Sequence, residues 1–194
     1  NSRGIDFQTV LKTAQEMGLA EADPSLDIDG HDAAHKLALL IRLAWGKHYP
    51  FEALSVEGIR NISSQDILFA REFGYVIKLI GQAQETDGKI EAGVFPALVN
   101  NNMLLASVNG AYNAVRIEGN AVGSLFLHGL GAGKRPTASA VLGDLLALAK
   151  RNTITAEDNT GFVSSLPDAE IIPPEKAVSA WYVRATVRDN PGIL

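Results

Sequence analysis

The 194-residue sequence contains no cysteine. That absence excludes disulfide scaffolds, thiolate zinc sites, iron–sulfur clusters and cysteine nucleophiles together, and it leaves the compartment open between the cytosol and a disulfide-free secreted form. Positive charge is also in deficit, with 17 Lys and Arg against 22 Asp and Glu and a net charge of −5. The chain therefore lacks the basic field that a nucleic-acid partner needs. Long apolar runs are missing too: the most apolar stretch, Leu37 to Trp45, is short and carries Arg42, far from the roughly 18 apolar residues of a membrane span. No apolar h-region follows the N-terminal Asn-Ser-Arg-Gly-Ile-Asp, so it does not read as a signal peptide. What is present, 46% hydrophobic and 20% charged residues, describes a globular chain with material for one core. It starts almost directly in a helical pattern without an initiator methionine and stops inside a strand-and-turn pattern, which leads us to expect a piece of a longer polypeptide.

Periodicity divides the chain. Phe7, Val10, Leu11, Ala14 and Met17 recur at helical spacing, with Asp6 as N-cap and Gly18 as stop. Residues 21–32 hold five acids, Glu21, Asp23, Asp27, Asp29 and Asp32, with a proline and a glycine, which predicts an acidic loop. From Asp32 to Gly46 the chain is apolar around much of a helical circumference, the mark of a mostly buried helix. Ser64 to Phe73 reads as another helix. Strands are predicted from Tyr75 and from Lys89 around an Asp-Gly turn, and again over Ala111–Asn120 and Ala121–His128. A Gly-rich segment then leads into a helix over Thr137–Lys150, a polar, proline-dotted linker and a last strand from Trp181 to Asp189. Helices first and strands later indicate an α+β domain with a mixed, largely antiparallel sheet, helices on one face and the other face open to a partner subunit.

The acidic loop and the helix after it carry the sharpest chemistry. Asp32 and Lys36 lie four apart and share a helix face, which by itself is an ordinary ion pair. Lys36 sits at the start of the most apolar helix, however, so burial would desolvate its ammonium unless it projects toward the acids. Such a lysine is a candidate proton donor to a substrate oxygen, and the carboxylates around it suit a substrate ammonium. His31 and His35 match the spacing of a zinc-binding H-E-x-x-H motif with Asp32 in place of glutamate, which shortens the reach to a bound water, and only His48 and His128 remain as further ligands. No metal is assigned. A calcium loop fails, since placing Gly30 at its glycine puts Ser25 and Lys36 at ligand positions. The segment Gly129-Leu-Gly-Ala-Gly-Lys-Arg-Pro-Thr fails as a phosphate loop on spacing and because Arg135 stands where Ser or Thr binds magnesium. Its glycines remain open to two readings, a turn before a helix or a backbone cradle facing a cofactor.

Two of these segments resemble a known family. The run from Gly18 through the acidic loop to Leu40 closely resembles the substrate-binding signature of homoserine dehydrogenase, and the run from Gly129 to Val141 resembles that family's second motif. The resemblance implies NADH- or NADPH-dependent interconversion of L-homoserine and L-aspartate 4-semialdehyde in threonine, methionine and isoleucine biosynthesis, in the cytoplasm, by a homodimer joined through its sheet. It implies the fold of the C-terminal domain of glyceraldehyde-3-phosphate dehydrogenase. Lys36 matches the family's proton-donating lysine, with Asp32 beside it. Glu21 and Asp32 match acids on the substrate amino end, Asp27 another acid of the site, Gly18 a backbone contact to substrate, and Gly131, Ala132 and Gly133 the approach to the nicotinamide. Leu19 replaces a common aromatic. The expected organisation is a catalytic and dimerisation domain over 1–130, a loop and helix over 131–152 that pack on a nucleotide-binding domain, a linker over 153–178, and the start of an ACT regulatory domain over 179–194. The family's dinucleotide fold, a second active-site lysine and its monovalent-cation loop have no counterpart in the sequence, so this segment alone is expected not to turn over. The reading of a different class is a non-catalytic ligand-binding or assembly module. Whether Lys36 Nζ meets Glu21 and Asp32 or points into bulk solvent discriminates the two.

Overall fold

A computed structural model describes residues 7–17, 21–150 and 166–187. Its centre is a long hairpin. Strands β2 (Tyr75–Thr86) and β3 (Lys89–Asn100) pair antiparallel over their full length. The turn between them is Asp87-Gly88, both at positive φ (51° and 79°), the geometry that matches the twist of the strands. Two short strands join the other edge of β3 in parallel, β1 (Ser55–Val56) at Gly93 and Val94 and β6 (Glu170–Ile171) at Lys89 and Ile90.

Period-two alternation aims Ile90, Ala92 and Val94 at one side of this sheet, with Leu79 and Ala83 beside them. Helix α3 (His31–Trp45) lays Ala34, Leu37 and Ile41 on that side, and Tyr49, Leu54 and Ala169 complete the core. Helix α4 (Ser64–Glu72) packs on β2. Helix α1 (Phe7–Glu16) and a one-turn α2 (Ser25–Ile28) precede α3. The second hairpin, β4 (Tyr112–Gly119) with β5 (Gly123–Leu130), forms a separate two-stranded sheet rather than widening the first. A 3-10 turn at Leu104–Ser107 separates them, and half-buried Lys78 bridges the gap by donating from Nζ to Val108 O and to Asn109 Oδ1 (3.2 Å). Burial without a carboxylate partner pushes the Lys78 ammonium pKa down.

Three expectations change. Helix α3 is not mostly buried, because Leu39, Leu40 and Leu43 are exposed. Residues 167–172, expected to be linker, run along the core instead. His48 N–H donates to Pro167 O (2.9 Å), Ala169 N–H donates to His48 O (2.8 Å), and Ile172 N–H donates to Ile90 O (2.9 Å). The strand expected from Trp181 to Asp189 has no ladder partner over 181–187, and residues 188 and 189 lie outside the described residues. That stretch alternates as a strand would, yet no sheet edge among the described residues receives it. Among the described residues no helix is long and apolar enough to cross a membrane.

Candidate active site

The acidic loop is folded on itself. Asp27 N–H and Ile28 N–H both donate to Pro24 O (3.1 and 3.0 Å), Asp29 N–H donates to Ser25 O (2.8 Å), and Ile28 is buried as the anchor of the turn. Asp23 accepts from Ser25 N–H (3.0 Å) and Ser25 Oγ (2.5 Å), and these bonds lower its carboxyl pKa. The loop then feeds α3, so that Asp32 falls in the first turn and Lys36 one turn later. The Lys36 ammonium donates to Asp32 Oδ2 and forms an ion pair with it.

Lys36 is 60% exposed, so the desolvation expected of it is absent in this chain. An exposed pair at this spacing contributes little to stability. At about 100° per residue, Asp32, Lys36, Leu39, Leu40 and Leu43 share one side of the helix. The pair therefore borders an uncovered apolar strip.

The other expected residues stand apart from this pair. Glu21 is exposed and makes no ion pair with Lys36, and its carbonyl accepts from Gln15 Nε2 (2.9 Å). Asp27 is exposed and makes no ion pair among the described residues. Gly18 and Leu19 lie outside the described residues. His35 stacks on Phe51 with ring centroids 4.6 Å apart, and among the described residues no three His, Asp or Glu side chains group as a metal site requires.

The glycine loop occupies the far end of the second hairpin. Gly131 N–H donates to Ala111 O (3.0 Å), and a Cβ at Gly131 would require the exposed Asn113 side chain to swing aside. Gly131, Ala132 and Gly133 are exposed, and α5 (Lys134–Lys150) begins immediately after them. Bare backbone opening a helix is suited to a flat, polar cofactor group at close range.

One cluster was not anticipated. Asp66 is the buried charged residue of the described chain; it accepts from Ser63 N–H and Oγ, while Ser63 Oγ accepts from Asp66 N–H (3.2 Å), a capping box that opens α4. Arg184 Nε donates to Asp66 Oδ1 (2.6 Å) and Tyr182 OH donates to the same oxygen (3.2 Å), which ties residues 182–184 to α4. The Arg184 bond first, then Ser63, hold the Asp66 carboxyl far below the usual carboxylate range. The box was legible as Ser63-x-x-Asp66 ahead of an apolar run. Its partners, more than a hundred residues later, leave no local signal.

Comparison with known proteins gives a single answer. The family model described as homoserine dehydrogenase matches residues 1–146. The chain is 41% identical over 196 residues to the homoserine dehydrogenase of Pseudomonas aeruginosa, across 99% of this chain and 45% of that protein. It is 39% identical over 186 residues to that of Bacillus subtilis, across 96% and 43%. The crystal structure of a homoserine dehydrogenase from Thiobacillus denitrificans superposes with a TM-score of 0.78 at 42% identity, covering 89% of this chain and 41% of that one. A Staphylococcus aureus homoserine dehydrogenase structure gives 0.68 at 38% identity, covering 79% and 40%. The chain spans less than half the length of the curated relatives it matches. Family match, identity and shared fold agree over most of its residues, and the chain belongs to the homoserine dehydrogenase family.

Proposed function

We propose that the full-length protein interconverts L-homoserine and L-aspartate 4-semialdehyde with NADH or NADPH, and that this segment supplies substrate binding and proton transfer. The observation that carries the proposal is the Asp32–Lys36 pair at the start of α3, directly after the acidic loop. When bound, the nicotinamide supplies or accepts the hydride at the substrate carbon. In the reducing direction Lys36 Nζ gives its proton to the aldehyde oxygen, and in the oxidising direction neutral Lys36 takes the hydroxyl proton. Asp32 keeps that nitrogen aimed. Glu21 and Asp32 hold the substrate ammonium, with Asp27 as a further substrate-binding acid and Gly18 as a backbone contact. Gly131, Ala132 and Gly133 form the wall along the nicotinamide. No residue of this chain is assigned to a monovalent cation.

In this reading residues 1–130 are the catalytic and dimerisation domain, 131–152 pack on a nucleotide-binding domain, 153–178 connect onward with 167–172 returning along β3, and 179–194 open an ACT regulatory domain. The exposed leucines beside Lys36 support it, because a domain covering them would exclude water from the proton donor. Exposed Tyr112, Ile117, Leu125 and Leu127 on β4–β5 support a homodimer through the sheet. The cytoplasm is the location that goes with this chemistry, in amino-acid biosynthesis. The segment alone does not turn over.

The test is Lys36→Ala in the full-length enzyme. Turnover is expected to fall by about 10²- to 10⁴-fold, with the circular dichroism spectrum unchanged. Near-normal turnover would remove Lys36 from the mechanism.

A further inference from the structure

The loop after β1 grips the acidic loop through three contacts that the reaction above leaves unused. Arg60 holds the Asp29 carboxylate with two nitrogens, Nε on Oδ1 and Nη2 on Oδ2 (2.9 Å). Ile59 N–H donates to Ile28 O (2.8 Å). Gly58 lies flat against the same turn: a Cβ there would overlap the Ile28 carbonyl oxygen and lie 2.5 Å from Asp29 Cα. A forked guanidinium on a carboxylate fixes direction as well as distance. The Arg60 bonds pull the Asp29 carboxyl below its usual range, and the Arg60 charge adds to the lowering at Asp23. Among five acids crowded into residues 21–32, Arg60 is a cation brought in from a distant part of the chain.

Lys36 is supported in another way. Its helix is seated by Ala34, Leu37 and Ile41 in the core, and its N-cap, Gly30, comes near Val56 and Glu57. The two halves of the site therefore rest mainly on different supports. The turn bearing Asp27 rests on Gly58, Ile59 and Arg60, and the proton donor rests on the core.

We propose that Arg60 is a positioning residue for substrate binding: by clasping Asp29 it sets the Pro24–Asp29 turn and so aims Asp27 at the amino-acid substrate. This rests on the roles assigned above to Asp27 and Lys36 and adds what orients the first of them. Because the chemistry-bearing helix is seated mainly by the core, loss of Arg60 weakens binding and spares the chemical step.

The experiment is steady-state kinetics of the full-length enzyme. Arg60→Ala is expected to raise KM for homoserine about ten-fold with kcat within about two-fold of wild type, the signature of lost uniform binding. KM for the dinucleotide and the melting temperature stay near wild type. Arg60→Lys, which keeps the charge and loses the fork, reproduces most of the rise. Asp29→Ala gives a similar rise, and the double variant is no worse than either single one, as expected of two residues acting through one contact. An unchanged homoserine KM in Arg60→Ala, or a fall in kcat at constant KM, overturns the proposal. Lys36→Ala in the same series separates the failures. Retained turnover there removes the assigned site, whereas lost turnover there beside a normal homoserine KM in Arg60→Ala removes only the role of Arg60.

Discussion

Helix α3 with the β2–β3 hairpin and helix α5 with the β4–β5 hairpin are built from similar material and end in opposite states. In the first region Ala34, Ile41, Ile90 and Val94 are almost wholly buried. In the second no residue is buried, and Val141, Leu142, Leu145, Leu146 and Leu148 of α5 stand exposed. An apolar pattern thus states that a surface is to be covered without saying by what. The core face of the first region is covered from within this chain. The second carries the apolar area of a buried element with nothing among the described residues laid against it, as expected of a segment spanning under half of its relatives.

The contrast can be broken at several points. The largest effect on stability is expected for Ile41→Ala, which opens a cavity under α3 and should cost about 2–5 kcal/mol in chemical denaturation. A cost below about 1 kcal/mol would mean that the α3 core is not the closed half. Next comes acid. Asp66 has its carboxyl pKa depressed in the folded state, so its contribution is fully present above the unfolded value of 3.8 and is lost as pH falls through the folded value. Asp66→Asn should therefore be less stable than wild type at neutral pH, with the gap narrowing below pH 3.8. A constant gap would mean that the ion pair with Arg184 does not anchor the C-terminal stretch.

Ser63→Ala removes the hydroxyl of the α4 cap and should cost about 1 kcal/mol by the same measurement. Smallest is Leu145→Ala, expected to stay within about 0.5 kcal/mol in this chain because the side chain is already in water. In the full-length enzyme the same substitution should cost about 2–5 kcal/mol if a nucleotide-binding domain covers α5. Equal effects in both would remove the idea that the second region waits for a partner.

Much of the local structure was legible. Asp87-Gly88 between alternating strands named its own hairpin, since few residues other than Asn, Asp and Gly tolerate positive φ. Gly46 marked the end of α3, where its N–H still reaches Arg42 O (2.9 Å). The Asp32–Lys36 pair was visible as a four-residue spacing. Burial was not. The apolar circumference of α3 pointed to a core helix, whereas Lys36 and three leucines face water, because what covers that side is not among the described residues. Strand character at Trp181 to Val187 was also visible, but a strand is a pairing, and pairing depends on an edge that composition does not supply. The partners of Asp29 and Asp66 escaped for a related reason: Arg60 and Arg184 meet them across 31 and 118 residues.

The sequence by itself determined the hairpins, the end of α3 at Gly46, the acidic loop and the spacing of Asp32 and Lys36, all of which follow from dihedral preferences and periodicities that act over a few residues. Only the tertiary structure decided which apolar surfaces close, that Lys36 remains in solvent, that residues 167–172 return to the edge of β3, and that Arg60 holds the acidic loop. Those outcomes depend on distant groups competing for the same contacts, and such competition is settled when the chain folds on itself.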